Sequence, residues 1–237
     1  MKEIGGYFEL DQFVKKPYHN NMIKLNTGRN ALIYLIKAKN IQKIYLPYFL
    51  CNSVSDMLNS HKINYEYYNI DKNFLPVFDK KLECSEYIYI VNYYGQITDD
   101  RIIELKNKHI NLILDNTQSF FQKPVPGVDT IYSCRKYFGI PDGAYLSSEV
   151  KCEEDIEQDE SVKRMKHILG RYEGKASDYY SEFHENDKFF KSLSIKRMSR
   201  LTENILGAID YAKVAESRNQ NFSYLHKNLE ASNKLKL

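Results

Sequence analysis

Between residues 25 and 148, short apolar runs rich in Ile and Tyr alternate with helix-length stretches, and this alternation constrains the fold more than any other feature. The runs are Lys43-Ile44-Tyr45-Leu46, stopped by Pro47; residues 65–70; Tyr87-Ile88-Tyr89-Ile90-Val91; Leu112-Ile113-Leu114; Thr130-Ile131-Tyr132; and Ala144-Tyr145-Leu146. β-Branched and aromatic side chains suit a pleated surface, and runs apolar at every position suit strands covered on both faces. Residues 29–39, 52–60 and 98–108 read as the intervening helices. Strand–helix alternation predicts an α/β fold, a mostly parallel sheet flanked by helices. In such sheets ligands collect beyond the carboxyl ends of the strands. Residues with chemical potential should therefore follow the strands.

Beyond residue 148 the pattern changes. Residues 149–166 are charge-dense, with Glu153-Glu154-Asp155 followed by Lys163-Arg164, and read as a solvated helix or surface connection. From 194 to 229, Met198, Leu201, Ile205, Ala208, Ala212 and Ala215 recur at three- and four-residue spacing, which predicts one long amphipathic helix. The expected division is a large α/β domain over residues 1–193 and a connector helix over 194–237. A chain of 237 residues can bury one core, or one core with a small appendage. Its 34 basic and 31 acidic residues leave a net charge of +3, which gives no electrostatic ground for nucleic-acid or membrane partners. Cys51, Cys84, Cys134 and Cys152 form no close pair of metal-ligand spacing and read as reduced thiols. Met1-Lys2-Glu3-Ile4-Gly5-Gly6 lacks a leader's apolar core, and no apolar run nears the ~20 residues of a membrane span. A soluble cytoplasmic protein without a metal is expected.

Three groups follow strands or open helices and carry the chemistry. Lys136 lies after the run at 130–132 and before Gly139-Ile140-Pro141-Asp142-Gly143; a lysine there is a Schiff-base nucleophile where its surroundings favour the neutral amine. Ser133, three residues earlier, could hold a phosphate. Asp115 ends its strand, where it either points a carboxylate into the crevice or caps the next helix, with Asn116 and Thr117 completing a turn. Thr27-Gly28-Arg29-Asn30 opens a helix, either as an anion-binding turn or as an ordinary N-cap, with Arg29 a phosphate ligand or a surface charge.

In order along the chain, six segments resemble the DegT/DnrJ/EryC1/StrS family of pyridoxal-phosphate-dependent sugar aminotransferases. They are Thr27 to Leu32, Leu46-Pro47-Tyr48-Phe49-Leu50-Cys51, the strand at 65–71, Val91-Asn92-Tyr93-Tyr94-Gly95-Gln96, Asp115-Asn116-Thr117-Gln118, and Ser133-Cys134-Arg135-Lys136 with Gly143 behind it. The resemblance spans roughly residues 25–225. It implies a fold type I large domain with pyridoxal 5'-phosphate held covalently by Lys136. It also implies Asp115 on the pyridine nitrogen, Gln118 on the ring oxygen, and Ser133 with Gly28, Arg29 and Asn30 at the phosphate. Phe49 or Tyr48 would cover the ring, since Cys51 stands where many members place an aromatic residue. The implied reaction moves an amino group from glutamate to a keto group on a nucleotide-linked sugar, in surface-polysaccharide or related sugar biosynthesis, within a homodimer.

The chain departs from the family pattern in three places. Two residues separate Ser133 from Lys136, Asn92 stands where a histidine is common, and no stretch of these residues is expected to correspond to the family's C-terminal small domain. Two further readings stay open: a non-catalytic binding or assembly protein on the same fold, and another pyridoxal-phosphate chemistry on a different substrate.

Overall fold

The computed structural model describes residues 6–152 and 155–233; the start read for a leader, Glu153 with Glu154 and the last four residues lie outside the described residues. The strands are β1 (Ile23–Leu25), β2 (Lys43–Pro47), β3 (Asn64–Ile70), β4 (Pro76–Val77), β5 (Glu86–Val91), β6 (Leu112–Asp115), β7 (Asp129–Ser133) and β8 (Ala144–Ser147). They form one sheet in the order β1-β8-β7-β6-β5-β2-β3-β4. The centre, from β3 through β2, β5 and β6 to β7, is parallel; β8 pairs antiparallel with β7 and β1 with β8 at one edge, and β4 pairs antiparallel with β3 at the other.

The all-apolar runs are explained by this arrangement. On β5, Tyr87, Tyr89 and Val91 face one cluster and Ile88 and Ile90 face another; on β6, Ile113 joins the first and Leu112 and Leu114 the second. α1 (Gly28–Ala38) covers the first face, burying every residue from Asn30 to Ile36. α2 (Asn52–Ser60) adds Met57 and Leu58 to the same face. α3 (Asp99–Lys108), capped by Thr98, lays Ile102 and Leu105 on the second. Burying one such aliphatic side chain contributes about 1.5–3 kcal/mol.

α4 (Lys166–Glu173), α5 (Tyr180–Phe189), α6 (Arg200–Leu206) and α7 (Tyr211–Leu229) complete the chain. The single helix expected over 194–229 is instead an extended stretch followed by two helices. Residues up to Met198 run beside β1, with Asn26 N donating to Lys196 O and Met198 N donating to Lys24 O. Ser199 then caps α6, Gly207 ends it, and the Asp210 carboxylate caps α7 by accepting from Lys213 N. Two N-caps inside one apolar pattern split it. Of the stripe, Met198 is buried in the core whereas Ala208 and Ala212 are exposed.

The charge-dense segment also differs from the expected solvated helix. Its described part holds only the short turn Val162–Arg164, and Asp159, Ser161 and Arg164 are buried. The Arg164 guanidinium lies between the carboxylates of Asp142, at 3.3 Å, and Asp159, at 2.8 Å. Asp142 also accepts from Ser199 N, Ser199 Oγ and Thr202 Oγ1. A buried charge persists only when paired and hydrogen-bonded. This cluster ties the segment and α6 to the turn before β8. No helix among the described residues is long and apolar enough to cross a membrane.

Candidate active site

A cavity of about 620 Å³ opens where the carboxyl ends of β5, β6 and β7 meet the N-terminus of α1. Of the residues singled out from sequence, Gly28, Arg29, Phe49, Cys51, Asp115, Gln118, Ser133 and Lys136 all stand on its wall. Asn30 does not. Its side-chain amide is buried and donates to Asn26 Oδ1 and to the carbonyls of Leu193 and Ser194, so it fastens α1 to the extended stretch.

Lys136 closes a tight turn, Cys134–Lys136, directly after β7. The turn is fixed from both sides: Cys134 N donates to Gly143 O at 3.0 Å, and Phe138 N to Cys134 O at 3.1 Å. Gly143 has φ +114°, a conformation that calls for glycine, and a Cβ there would also lie a tight 3.1 Å from Thr202 Cγ2. Lys136 itself is exposed and makes no hydrogen bond or ion pair among the described residues.

Asp115 is only 5% exposed. Oδ2 accepts from Tyr89 OH at 2.7 Å and Oδ1 from Thr117 N at 2.8 Å. No helix follows it, so it closes a turn and presents a buried carboxylate to the cavity. Burial and this carboxylate together push the Tyr89 phenol well above the ordinary tyrosine range, leaving it a committed donor. Gln118 Oε1 accepts from Tyr94 N at 3.2 Å, which leaves its amide N–H groups for another partner. The left-handed Tyr94 and Gly95 shape the turn that makes this contact.

At the opposite wall Thr27 caps α1, its hydroxyl accepting from Asn30 N at 3.1 Å. The amides of Gly28 and Arg29 have no partner within the helix, as in any first turn, and both residues line the cavity. A Cβ on Gly28 would make only ordinary contacts of 3.8 Å, so space alone does not demand this glycine. Cations dominate: Arg29, Arg135, Lys136 and Lys191 face Asp115 and Asp187. Arg135 stacks on the Phe190 ring at 3.9 Å and stands 3.9 Å from Asp187. Burial lowers the basicity of its guanidinium, Asp187 opposes that, and Arg29 adds to it. Cys51 precedes α2; hydrogen bonding from Ser53 holds its thiol below the ordinary range, helped by Lys136 and Arg29. Over the cavity, the Phe49 ring stacks on Tyr93 at 5.3 Å.

Tyr89, Arg135, Asp187 and Lys191 were not found from sequence. Arg135 could have been, as a second cation in the turn that holds Lys136. Asp187 and Lys191 lie in or just after a helix with no sharp sequence signal.

The fold is that of a fold type I large domain. Comparison with protein-family models and with curated proteins gave no match. Among solved structures, the chain is similar to DesV of S. venezuelae, solved in complex with a ketimine intermediate, at 15% identity and a TM-score of 0.53, covering 90% of this chain and 58% of that one. It is similar to the sugar aminotransferase CalS13 of Micromonospora echinospora at 12% identity and a TM-score of 0.52, covering 90% of this chain and 62% of that one. At these identities the likeness is one of fold. The chain spans about three fifths of the length of these two structures.

Proposed function

We propose that this chain is a pyridoxal-phosphate-dependent aminotransferase, or the large domain of one, acting on a nucleotide-linked keto sugar with glutamate as amino donor. The observation that carries the reading is a single cavity bearing a free lysine, a buried carboxylate and the open amides of a helix N-terminus. Pyridoxal phosphate needs an amine for its aldehyde, an acceptor for its pyridinium N–H and donors for its phosphate, and these residues supply all three. When bound, the cofactor supplies an electron sink for the carbon that loses a proton.

Each residue then has a task. The Lys136 amine would hold the cofactor through its aldehyde carbon and, once the substrate's amine had displaced it there, would be free to move the proton at the substrate carbon. The Asp115 carboxylate accepts from the ring N–H and keeps it protonated, steadied by Tyr89 and Thr117. Gln118 donates its free amide N–H toward the ring oxygen, and Phe49 shields the ring from water. Gly28 and Arg29 amides, with the Ser133 hydroxyl, hold the phosphate. In this reading two copies associate in the cytoplasm.

Reduction by borohydride tests the assignment: a single cofactor-bearing peptide containing Lys136 is expected. Label on another lysine, or none, would remove the proposal.

A further inference from the structure

Arg135 brings a fork of N–H donors to the wall of the cavity that holds Lys136, and the chain leaves it unspent. Its guanidinium makes no hydrogen bond among the described residues. The ion-pair contact it has there, Asp187 Oδ1, stands 3.9 Å from Nη2, beyond hydrogen-bonding range. Much of its water is gone, since the side chain is only 23% exposed and lies over the Phe190 ring. That ring is itself buried and restricts where the fork can point. Arg29 adds like-charge repulsion from the same wall. A desolvated cation without a matching acceptor is costly. The unpaired nitrogens are not sealed off, so an anion in the cavity can reach them.

Two features distinguish which anion fits. With the cofactor's phosphate at the α1 N-terminus beside Arg29 and Ser133, the charges left at this wall are Arg135 and Lys191 against Asp187. One positive charge is in excess. A single carboxylate neutralises it, whereas a diphosphate would crowd further negative charge against Asp187. Arg135 also directly precedes Lys136, their Cα atoms about 3.8 Å apart. An α-amino acid carries its carboxylate on the carbon that bears its amine, so the two groups can meet neighbouring residues of one turn. The diphosphate of a nucleotide-linked sugar lies several bonds from the keto carbon.

We propose that Arg135 receives the α-carboxylate of the amino-acid donor and so sets which donors the cavity accepts. Asp187, loosely held, is the internal carboxylate that gives way to it. The assignment rests on the aminotransferase reading and adds to it the residue that recognises the donor.

Stable conjugates test it without turnover. Borohydride reduction of pyridoxal phosphate with L-glutamate or with 4-aminobutyrate gives two secondary amines that differ only in the α-carboxylate. Fluorescence titration of the full chain should find the glutamate conjugate at least about tenfold tighter than the 4-aminobutyrate one. Arg135→Gln should abolish that difference and leave the affinity for pyridoxamine phosphate nearly unchanged. Were Arg135→Gln not to fold, Arg135→Lys, which keeps the charge but loses the fork, should narrow the difference. Asp187→Asn should tighten the glutamate conjugate severalfold and the other not at all, which a merely structural Asp187 would not do. If neither conjugate nor pyridoxamine phosphate binds the unaltered chain, the cofactor reading falls and this assignment with it. If all bind but the two conjugates bind alike, the carboxylate assignment alone is overturned. It is equally overturned if Arg135→Gln weakens pyridoxamine phosphate as much as the glutamate conjugate, which would give the guanidinium to the cofactor's phosphate. Loss of UDP binding in Arg135→Gln with the conjugate difference intact would give it to a diphosphate and overturn the assignment too.

Discussion

Asp115 is a buried carboxylate served by two neutral donors and by no cation among the described residues. Its negative charge is therefore available to a cationic ring N–H. Asp115→Asn keeps size and shape, and its amide can still accept from Thr117 N and donate to the Tyr89 hydroxyl, so the charge is what it removes. Breaking one side of a buried charged contact costs about 3–5 kcal/mol. Pyridoxal-phosphate affinity and any half-reaction rate should accordingly fall by about a hundredfold or more, with the circular dichroism unchanged; undiminished affinity and rate would reduce Asp115 to a turn former. Cys51 offers a second test at this scale. It is exposed and its thiol is shifted downward, whereas burial pushes the Cys134 thiol well up. Because the thiolate is the nucleophile, iodoacetamide should modify Cys51 at lower pH than an ordinary free thiol requires and leave Cys134 untouched. Bound cofactor should slow it at Cys51 alone, and mass mapping of the alkylated peptides reads this directly.

Among elements, the central strands and the first three helices were legible in the sequence because each is long, apolar and bounded by turn residues. The expected 52–60 helix coincides with α2, and Thr98, expected inside the third helix, is its cap. β1, with three residues, and β4, with two, are too short for periodicity to register. α4 and α5 carry few apolar residues, and the 194–229 stripe concealed the caps Ser199 and Asp210. Eight of the residues singled out for the site share one cavity, because strand ends and the α1 N-terminus converge there, while Asn30 and the alternative ring cover Tyr48 lie outside it. The Asp142 cluster was invisible, since its members are scattered from residue 142 to 202 and meet only in three dimensions. It joins α6, the segment at 159–164 and the turn that carries Gly143 toward Lys136. Asp142→Ala would leave Arg164 with Asp159 as its sole carboxylate contact among the described residues and strip Ser199 N and Thr202 Oγ1 of an acceptor. Urea unfolding should show about 3–5 kcal/mol of lost stability, and Asp142→Asn, which keeps an acceptor, should show clearly less. Equal losses would mean that the carboxylate charge carries the effect and that the retained shape and acceptor contribute nothing.

For the molecule as a whole, the response to acid turns on a buried imidazole. His19 is 1% exposed, enclosed by the rings of Tyr18, Phe120, Tyr132 and Tyr145. Nε2 lies 2.7 Å from the Phe120 carbonyl and must donate to it, which leaves Nδ1 as the bare nitrogen, without a partner among the described residues. Protonation would put a charge and an unmatched N–H into this aromatic cage. Burial, reinforced by Lys123 and partly offset by the Phe120 carbonyl, accordingly lowers the His19 pKa from 6.5 to about 4. The unfolded chain binds this proton below its ordinary value, and the folded chain does not until about pH 4. Stability is therefore full above the unfolded value and falls as pH drops through the window between the two. Linkage gives a loss of about 2 kcal/mol between pH 7 and pH 5 from this one group. Burial shifts His109 and His167 the same way, so the total slope should be somewhat steeper. Glu66 and Glu182, held down to about 2 by their lysines, act on the far acid side of this window. His19→Gln preserves a donor to Phe120 O and cannot ionise. Chemical denaturation at pH 7, 6 and 5 should therefore show a visibly flatter profile for His19→Gln than for the unaltered chain. Parallel profiles for the two proteins would show that the cage around His19 opens to water before it titrates.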